Sequence, residues 1–473
     1  MKAVTGMWQQ RIGYGLADFA CNLIWQMITL YLMIYYTDVV GLAAAQVSIL
    51  FLVTRIVDGV ADAAMGVIID KTNTRWGKSR PYFLWGAIPF GVLAILAFYV
   101  PDVGQTGRLV YAYLTYLGIS IAYTMVNIPM ASILPSLTSD GQERTVLATV
   151  RIIFSCIGAT IVSLCTLPLV QSLGGGSTAS GYFWTIVIFA IVGMMMFFVT
   201  FRNVEEKVKV LRPKKVPVAQ AFASLTKNPP WLIFALNIIF MWGSYFFQQG
   251  ALIYYFTYYL REPGLASLAA GIGSFVPLVG VFATPLIARL MYKKTVFMIA
   301  SAINLVGLII MAIGNTNLTI LMTGVVVSAI GFGLRQSIYF SMQADPVDYG
   351  EWKTGINAAG IISSLNGFIG KIAMAVAGAV SGWLLTWGGY VANQQQTPQA
   401  LFAIKLNYIW IPLVLVIISM IVMCFYNLDK KFDRIRQELD ELTAGRENEA
   451  PTPSASVPAA AQGNVVFHDN TSS

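Results

Sequence analysis

Three charged residues, Arg55, Asp58 and Asp62, lie inside one apolar stretch, spaced three and then four residues apart. On an α-helix those offsets put all three on one face, and carboxylates held there are suited to taking up a cation or a proton. A charge at the centre of a bilayer costs about 2.5–3.5 kcal/mol on insertion scales. The stripe therefore has to face protein or a watery cavity, leaving Leu52, Val53, Ile56 and Val60 for lipid or neighbouring helices. A structural salt bridge from Arg55 to one aspartate is the plainer reading, but it leaves the other carboxylate in need of a partner. A coupling role for Asp58 and Asp62 is the expectation, with H⁺ or Na⁺ as the ion, no structural metal and no cofactor.

Other polar side chains are scattered through equally apolar stretches. Asp18, Asn22, Trp25, Tyr123, Asn127, Arg151, Trp242, Gln248, Arg335 and Lys371 combine hydrogen-bonding groups with flat aromatic faces. Sugars have the matching character, hydroxyl rims and apolar C–H faces, although each aromatic taken singly is more often packing. Asp18 has a second reading as a first-turn carboxylate stabilised by the helix dipole. Lys371 is either buried without its charge or paired across a cavity with Asp58 or Asp62, and pairing is expected because the first half has a carboxylate to spare. Pro129 and Pro135 interrupt a stretch that also carries Thr124 and Asn127, and broken helices at mid-membrane mark binding sites in transporters.

These residues need elements that hold them in a membrane. The 473-residue chain is 57% hydrophobic and 11% charged, with a mean hydropathy of +0.68, and its apolar runs reach the ~20 residues that cross a bilayer as a helix. Twelve spans are predicted, near 13–37, 46–69, 81–100, 109–135, 147–172, 181–201, 231–259, 268–290, 295–314, 319–342, 355–386 and 402–427. The expected fold is all-α and polytopic, with two six-helix bundles, 1–201 and 231–428, joined by a middle loop, 202–230. A charged amphipathic helix and disordered tail, 429–473, follow.

The net charge of +8 reads as topology and not as nucleic-acid binding. Apart from Arg108, Arg261 and Lys405 on one side and Arg55, Arg151, Arg335 and Lys371 within spans, the Lys and Arg lie on the side of the N-terminus. The positive-inside rule then puts both termini in the cytoplasm of a multi-pass inner-membrane protein. The tyrosines of YLMIYYTD are expected at the outer interface of the first span. The basic loop with Lys71, Arg75, Gly77 and Arg80 can pair with helix ends and hold two spans together in one state of a gate. Asp345, Asp348 and Glu351, grouped with the gating residues, lie in the loop after the tenth span, which occupies the same place in the second half as the loop after the fourth span in the first. Partners expected are a sugar, a coupling cation and lipid, with the monomer as the working unit.

Some chemistries are missing from the sequence. It has no Gly-rich loop ending in Lys-Ser/Thr for ATP, no membrane HExxH and no GxSxG elbow. The lone histidine, His468, lies in the tail. Cys21, Cys156, Cys165 and Cys424 have no metal or disulfide spacing. An enzyme is disfavoured, and any proton coupling has to use carboxylates.

RIGYGLADFA, YLMIYYTDVVGL, RIVDGVAD, NTRWGKSRP, VNIP, ADPVDYGEWKTG, FIGKIA and GYVANQQQTP occur in that order. Together they resemble the glycoside-pentoside-hexuronide:cation symporters, the melibiose carrier family of the major facilitator superfamily. The resemblance implies sugar uptake with H⁺, Na⁺ or Li⁺ by alternating access. It implies cation-site roles for Asp58, Asp62 and Thr124, a place near that site for Lys371, and sugar-site roles for Asp18 and Arg151. The chain departs from the melibiose carriers at Ala61, where they have an asparagine, and at Asn127 and Ala131, where they have aspartate and tryptophan.

Ala61 supplies no side-chain oxygen, which favours a proton over sodium. Arg335 is either a snorkelling arginine at the cytoplasmic end or faces the cavity, where it suits a carboxylate. GYVANQQQTP also resembles the glucuronide branch, so a hexuronide such as a glucuronide is the first expectation. A neutral β-glycoside, pentoside or galactoside is the second. A drug exporter and a non-transporting sensor are the remaining rivals. In the expected mechanism a cation relieves repulsion between Asp58 and Asp62 and orders the site for sugar. Arg55 is grouped with the gating residues.

Overall fold

Backbone groups inside hydrocarbon have no water to bond, so a long apolar segment satisfies them within a helix. The computed structural model describes residues 6–99, 101, 103–138, 141–207, 225–288, 290–314, 317–355 and 359–438, except 430, 433 and 436. Among these residues the chain forms twelve helical rods. The first six are Met7–Met27 continued to Val39, Ala44–Lys71, Pro81–Trp85 with Ala87–Ala97, Gln105–Ser132, Gly141–Leu173 and Thr178–Asn203. The second six are Pro229–Tyr254 continued to Tyr259, Pro263–Phe275 with Pro277–Ala288, Lys293–Gly314, Leu318–Met342, Ala359–Trp387, and Pro398–Lys405 continued to Cys424. Nine of the described helices are long and apolar enough to cross a membrane. The first two rods, which carry Arg11 and Asp18 and Arg55, Asp58 and Asp62, are not among the nine, and the third is a shorter apolar helix, Pro81–Ala97.

Four π-turns interrupt the α-helical ladder, at Ile28–Leu32, Tyr35–Val39, Tyr255–Tyr259 and Leu406–Trp410. Periodicity did not reveal them, because one extra residue in a turn leaves an apolar run unchanged. Such bulges concentrate at functional sites. Here two lie in rod 1, one at the end of rod 7 and one in rod 12.

The tyrosine cluster expected at an interface is instead interior. Tyr31, Tyr35 and Tyr36 are at most 2% exposed. The Tyr35 hydroxyl donates to the Phe98 carbonyl at 2.7 Å, and its ring meets Tyr182 edge-on. Pro129 does not break the fourth rod at mid-membrane either. The helix runs through it to Ser132, and the Pro129 carbonyl accepts from Ile133 N at 2.9 Å.

Rods 9 and 10 touch backbone to backbone, as small residues permit in membranes. A Cβ added at Gly331 would lie 2.3 Å from Asn304 N, and one at Gly307 2.3 Å from Ser328 N. Gly331→Leu is expected to cost about 1–3 kcal/mol or more by overpacking. Thermal unfolding of the purified protein checks this, and an unchanged midpoint would contradict the packing.

The two halves meet along rods 2 and 11. A Cβ at Gly59 would lie 2.5 Å from Phe368, and one at Gly382 1.7 Å from Ser48 Oγ. This crossing carries Lys371 against the second rod. Beyond rod 12, Ile435 is buried and Trp352 Nε1 donates to Glu438 Oε2 at 2.7 Å, so the start of the charged helix packs on the second half. Residues 439–473, including His468, and residues 208–224 of the middle loop lie outside the described residues.

Candidate functional site

Rod 2 offers two carboxylates one turn apart, and rod 4 offers two hydroxyls one turn apart in the same direction. The pairs are in register. Ser120 Oγ donates to Asp58 Oδ1, and Thr124 Oγ1 donates to Asp62 Oδ1 at 2.9 Å. Each aspartate also has a cation. Arg55 Nη1 reaches Asp58 Oδ2 at 2.6 Å, and Lys371 Nζ donates to Asp62 Oδ2 from the other half of the protein.

The two ion pairs are not equivalent. Arg55 and Asp58 have side chains only 3% exposed, and the Arg55 guanidinium is tied further to the Tyr116 hydroxyl at 2.6 Å and lies 4.9 Å from the Trp25 ring centre. Lys371 and Asp62 are 21% and 27% exposed. Asp62 is thus reachable from water, and Asp58 is enclosed. Two acids and two bases leave the cluster neutral, so there is no carboxylate repulsion for an incoming cation to relieve. The cation instead competes with the Lys371 ammonium for Asp62.

A second cluster lies between rods 1 and 5. Arg151 Nε donates to Asp18 Oδ2 at 2.7 Å, Asn22 Nδ2 donates to Asp18 Oδ1 at 3.1 Å and to Ser155 Oγ at 2.8 Å, and Arg151 Nη1 reaches the Tyr14 hydroxyl at 3.4 Å. The polar group offered by Asp18 is therefore a bonded carboxylate and not a free helix-end charge. Tyr123 stands between the clusters, within electrostatic reach of both Asp18 and Asp62. It stacks on Trp25 with ring centres 4.3 Å apart and an interplanar angle of 19°.

A cavity of about 390 Å³ separates the halves. Trp25, Arg55, Tyr123 and Asn127 line it from the first half, and Trp242, Gln343, Asn366 and Lys371 from the second. Its lining extends towards the side of the termini. Asp18, Asn22 and Arg151 border on it through Tyr123 and do not line it.

Arg335 departs from expectation. It is 0% exposed and does not line the cavity. Its Nη2 donates to the Met241 carbonyl at 3.4 Å, and Trp242, Phe332 and Tyr339 form an aromatic wall beside it. A guanidinium behind that wall has no access to a substrate carboxylate. Gln248 lines a separate small pocket within the second half.

Of the residues read as gating, Arg55, Arg80 and Asp345 have side-chain partners within their own halves. Gly77, at φ +112°, lets the basic loop turn under Glu206, whose carboxylate accepts from Ser79 N at 2.7 Å and Arg80 N at 3.0 Å. Arg80 Nε donates to the Phe201 carbonyl at 2.7 Å, at the end of rod 6. Arg75 covers Trp76, and Lys71 is exposed. Asp345 pairs with Lys293 at 2.6 Å, in the short helix Asp345–Thr354 that also carries Asp348 and Glu351.

Besides Lys371–Asp62, described bonds bridge the halves at the opposite end. Asp38 accepts from the Tyr390 hydroxyl at 2.6 Å and from the Tyr258 hydroxyl, and Thr37 Oγ1 meets the Tyr254 hydroxyl at 2.9 Å. That end is shut.

Sequence reasoning missed Ser120, Tyr116, Asn366 and Asp38. Ser120 had a readable signal, since it stands one turn before Thr124 just as Asp58 stands one turn before Asp62. The bridging role of Asp38 had none, because its partners in the other half, Tyr258 and Tyr390, are more than 200 residues away.

A family model described as MFS/sugar transport protein matches residues 13–430. An isoprimeverose transporter of Lactiplantibacillus pentosus is 42% identical over 439 residues, covering 92% of this chain and 91% of that one. A glucuronide carrier protein homolog of Escherichia coli (strain K12) is 31% identical over 441 residues, covering 92% and 95%. Among solved structures, a D-xylose-proton symporter superposes with a TM-score of 0.62 at 13% identity, covering 90% of this chain and 98% of the other, which shows a common fold.

Proposed function

The chain belongs to the MFS/sugar transport protein family, and from that premise we propose that it is a glycoside:cation symporter of the cytoplasmic membrane, with both termini in the cytoplasm. It is a transport protein and not an enzyme. The observation that carries the reading is the Lys371–Asp62–Thr124 cluster, which joins the two halves beside the cavity and stays open to water.

A cation arriving at Asp62 neutralises the carboxylate and frees the Lys371 ammonium. Lys371 then turns its donors to the cavity it already lines. A sugar lying on the Trp25–Tyr123 face meets Asn127 on one side and Lys371 and Asn366 on the other, drawing the halves together, and reaches Asp18 and Arg151 when Tyr123 swings aside. Ion and sugar favour the same occluded state, and each therefore raises the affinity for the other by the same factor. Asp62 with Thr124 offers few oxygens, Ala61 adds none, and Asp58 is occupied by Arg55 and Ser120. Such a site suits a proton.

The favoured substrate is an uncharged glycoside of the isoprimeverose kind. This reorders the hexuronide expectation, which leaned on Arg335 and on the likeness of GYVANQQQTP to the glucuronide branch. A hexuronide is the second reading, supported by Lys371, which could pair with its carboxylate, and by the similarity to the glucuronide carrier homolog.

Weakly buffered cells given isoprimeverose are expected to alkalinise their medium without sodium, and phenyl glucuronide to do so several-fold less. A larger signal from the glucuronide reverses the substrate order. No signal from any glycoside, with or without sodium, removes the symporter.

A further inference from the structure

The end of the molecule remote from the termini holds a site that the central mechanism leaves unused. A groove of about 490 Å³ opens there between the halves, lined by Asp38, Thr178, Tyr182, Thr257, Tyr258 and Asn393 among others. A second groove of about 370 Å³ continues it past Thr178 and Tyr182 to Gln171 and Ser177. The first alone has the volume of a small-molecule site. A carboxylate, an amide, hydroxyls and tyrosine faces are the groups that recognise a carbohydrate.

Asp38 is the centre of this vestibule. Its side-chain partners among the described residues are hydroxyls: Thr37 Oγ1 at 2.6 Å, the Tyr390 hydroxyl at 2.6 Å, and the Tyr258 hydroxyl. Asn393 completes the closure. Its Nδ2 donates to the Asp38 carbonyl at 2.7 Å and its backbone N to the Tyr258 hydroxyl at 3.2 Å, while its φ of +58° is one that few side chains adopt. Tyr258 belongs to rod 7, and Tyr390 and Asn393 to the connection after rod 11, so these bonds tie rod 1 to the other half. A carboxylate held by tyrosine hydroxyls makes the same bonds that it would make to a polyol.

We propose that this vestibule is a second glycoside site, in which sugar hydroxyls take the places of the Tyr258 and Tyr390 hydroxyls on Asp38 and so release the contact between the halves. The site receives sugar from outside and converts its binding into opening towards the central cavity. The proposal rests on the glycoside transport and the orientation argued above.

The test uses the full-length carrier in vesicles of both orientations, with labelled isoprimeverose as the probe. Two variants are compared with the native protein: Asp38→Asn, which alters the acceptor, and Thr178→Trp, which fills the groove and leaves Asp38 intact. Each is expected to raise KM about tenfold when sugar is presented to the Asp38 face and to leave KM unchanged from the other face. A KM within twofold of native from the Asp38 face overturns the proposal. So does an equal rise from both faces, which marks a structural role for the latch alone. Native vesicles that take up no glycoside in either orientation would remove the transport reading itself, an outcome distinct from the other two.

Discussion

Asp62→Asn gives a carrier that still exchanges labelled glycoside across the membrane and no longer accumulates it. The amide keeps the shape of the carboxylate and an acceptor for Thr124, but it neither binds a proton in the working range nor holds the Lys371 ammonium, which is left facing the cavity as in the ion-loaded state. Sugar binding and rocking of the halves persist while the link to the ion is cut. A potential of 100 mV supplies about 2.3 kcal/mol per charge, roughly a 50-fold accumulation ratio. That whole factor is expected to disappear, leaving an inside-to-outside ratio near one. Steady-state uptake and equilibrium exchange in proteoliposomes measure the two quantities separately. Native-like accumulation by the variant would end the assignment of Asp62 as the coupling group.

Asp58→Asn is expected to fail earlier, as a folded protein. The Arg55–Asp58 pair is almost wholly enclosed, and removing one partner of a buried pair typically costs about 3–5 kcal/mol, because the other charge is left uncompensated. Yield and thermal midpoint should fall sharply. Removing both charges in Arg55→Met/Asp58→Leu should restore most of the loss, since replacing an entire buried pair with apolar groups of similar volume is often neutral. The comparison separates two aspartates that look alike in sequence. Should Asp58→Asn keep native stability and lose only coupling, Asp58 would be an ion ligand and the division of labour drawn here would be wrong.

Three charges on one helical face followed from spacing alone, because a helix has a single geometry for residues three and four apart. Which aspartate is locked and which is open did not follow. Arg55 reaches Asp58 through a local i,i+3 contact, but the exposure of Asp62 depends on how rod 11 crosses rod 2, through Gly59 and Phe368. Lys371 was legible as a membrane lysine in need of a partner, and the structure supplies Asp62 as that partner. Arg335 shows the limit of the same reasoning. Sequence places it inside a span, and nothing local distinguishes a cavity-facing guanidinium from one behind an aromatic wall.

By itself the sequence determined a twelve-helix membrane protein, the register of its polar stripe and the class of chemistry available to it. These are consequences of hydrophobic length and helical period, both of which act within a single segment. Only the tertiary structure decided that Asp62 pairs with a lysine lining the cavity, that Arg335 does not line it, and that Asp38 bridges the halves under two tyrosines. Those facts depend on contacts between residues hundreds of positions apart, and in a bilayer the packing of rods is set by shape and hydrogen bonding more than by any apolar pattern along the chain.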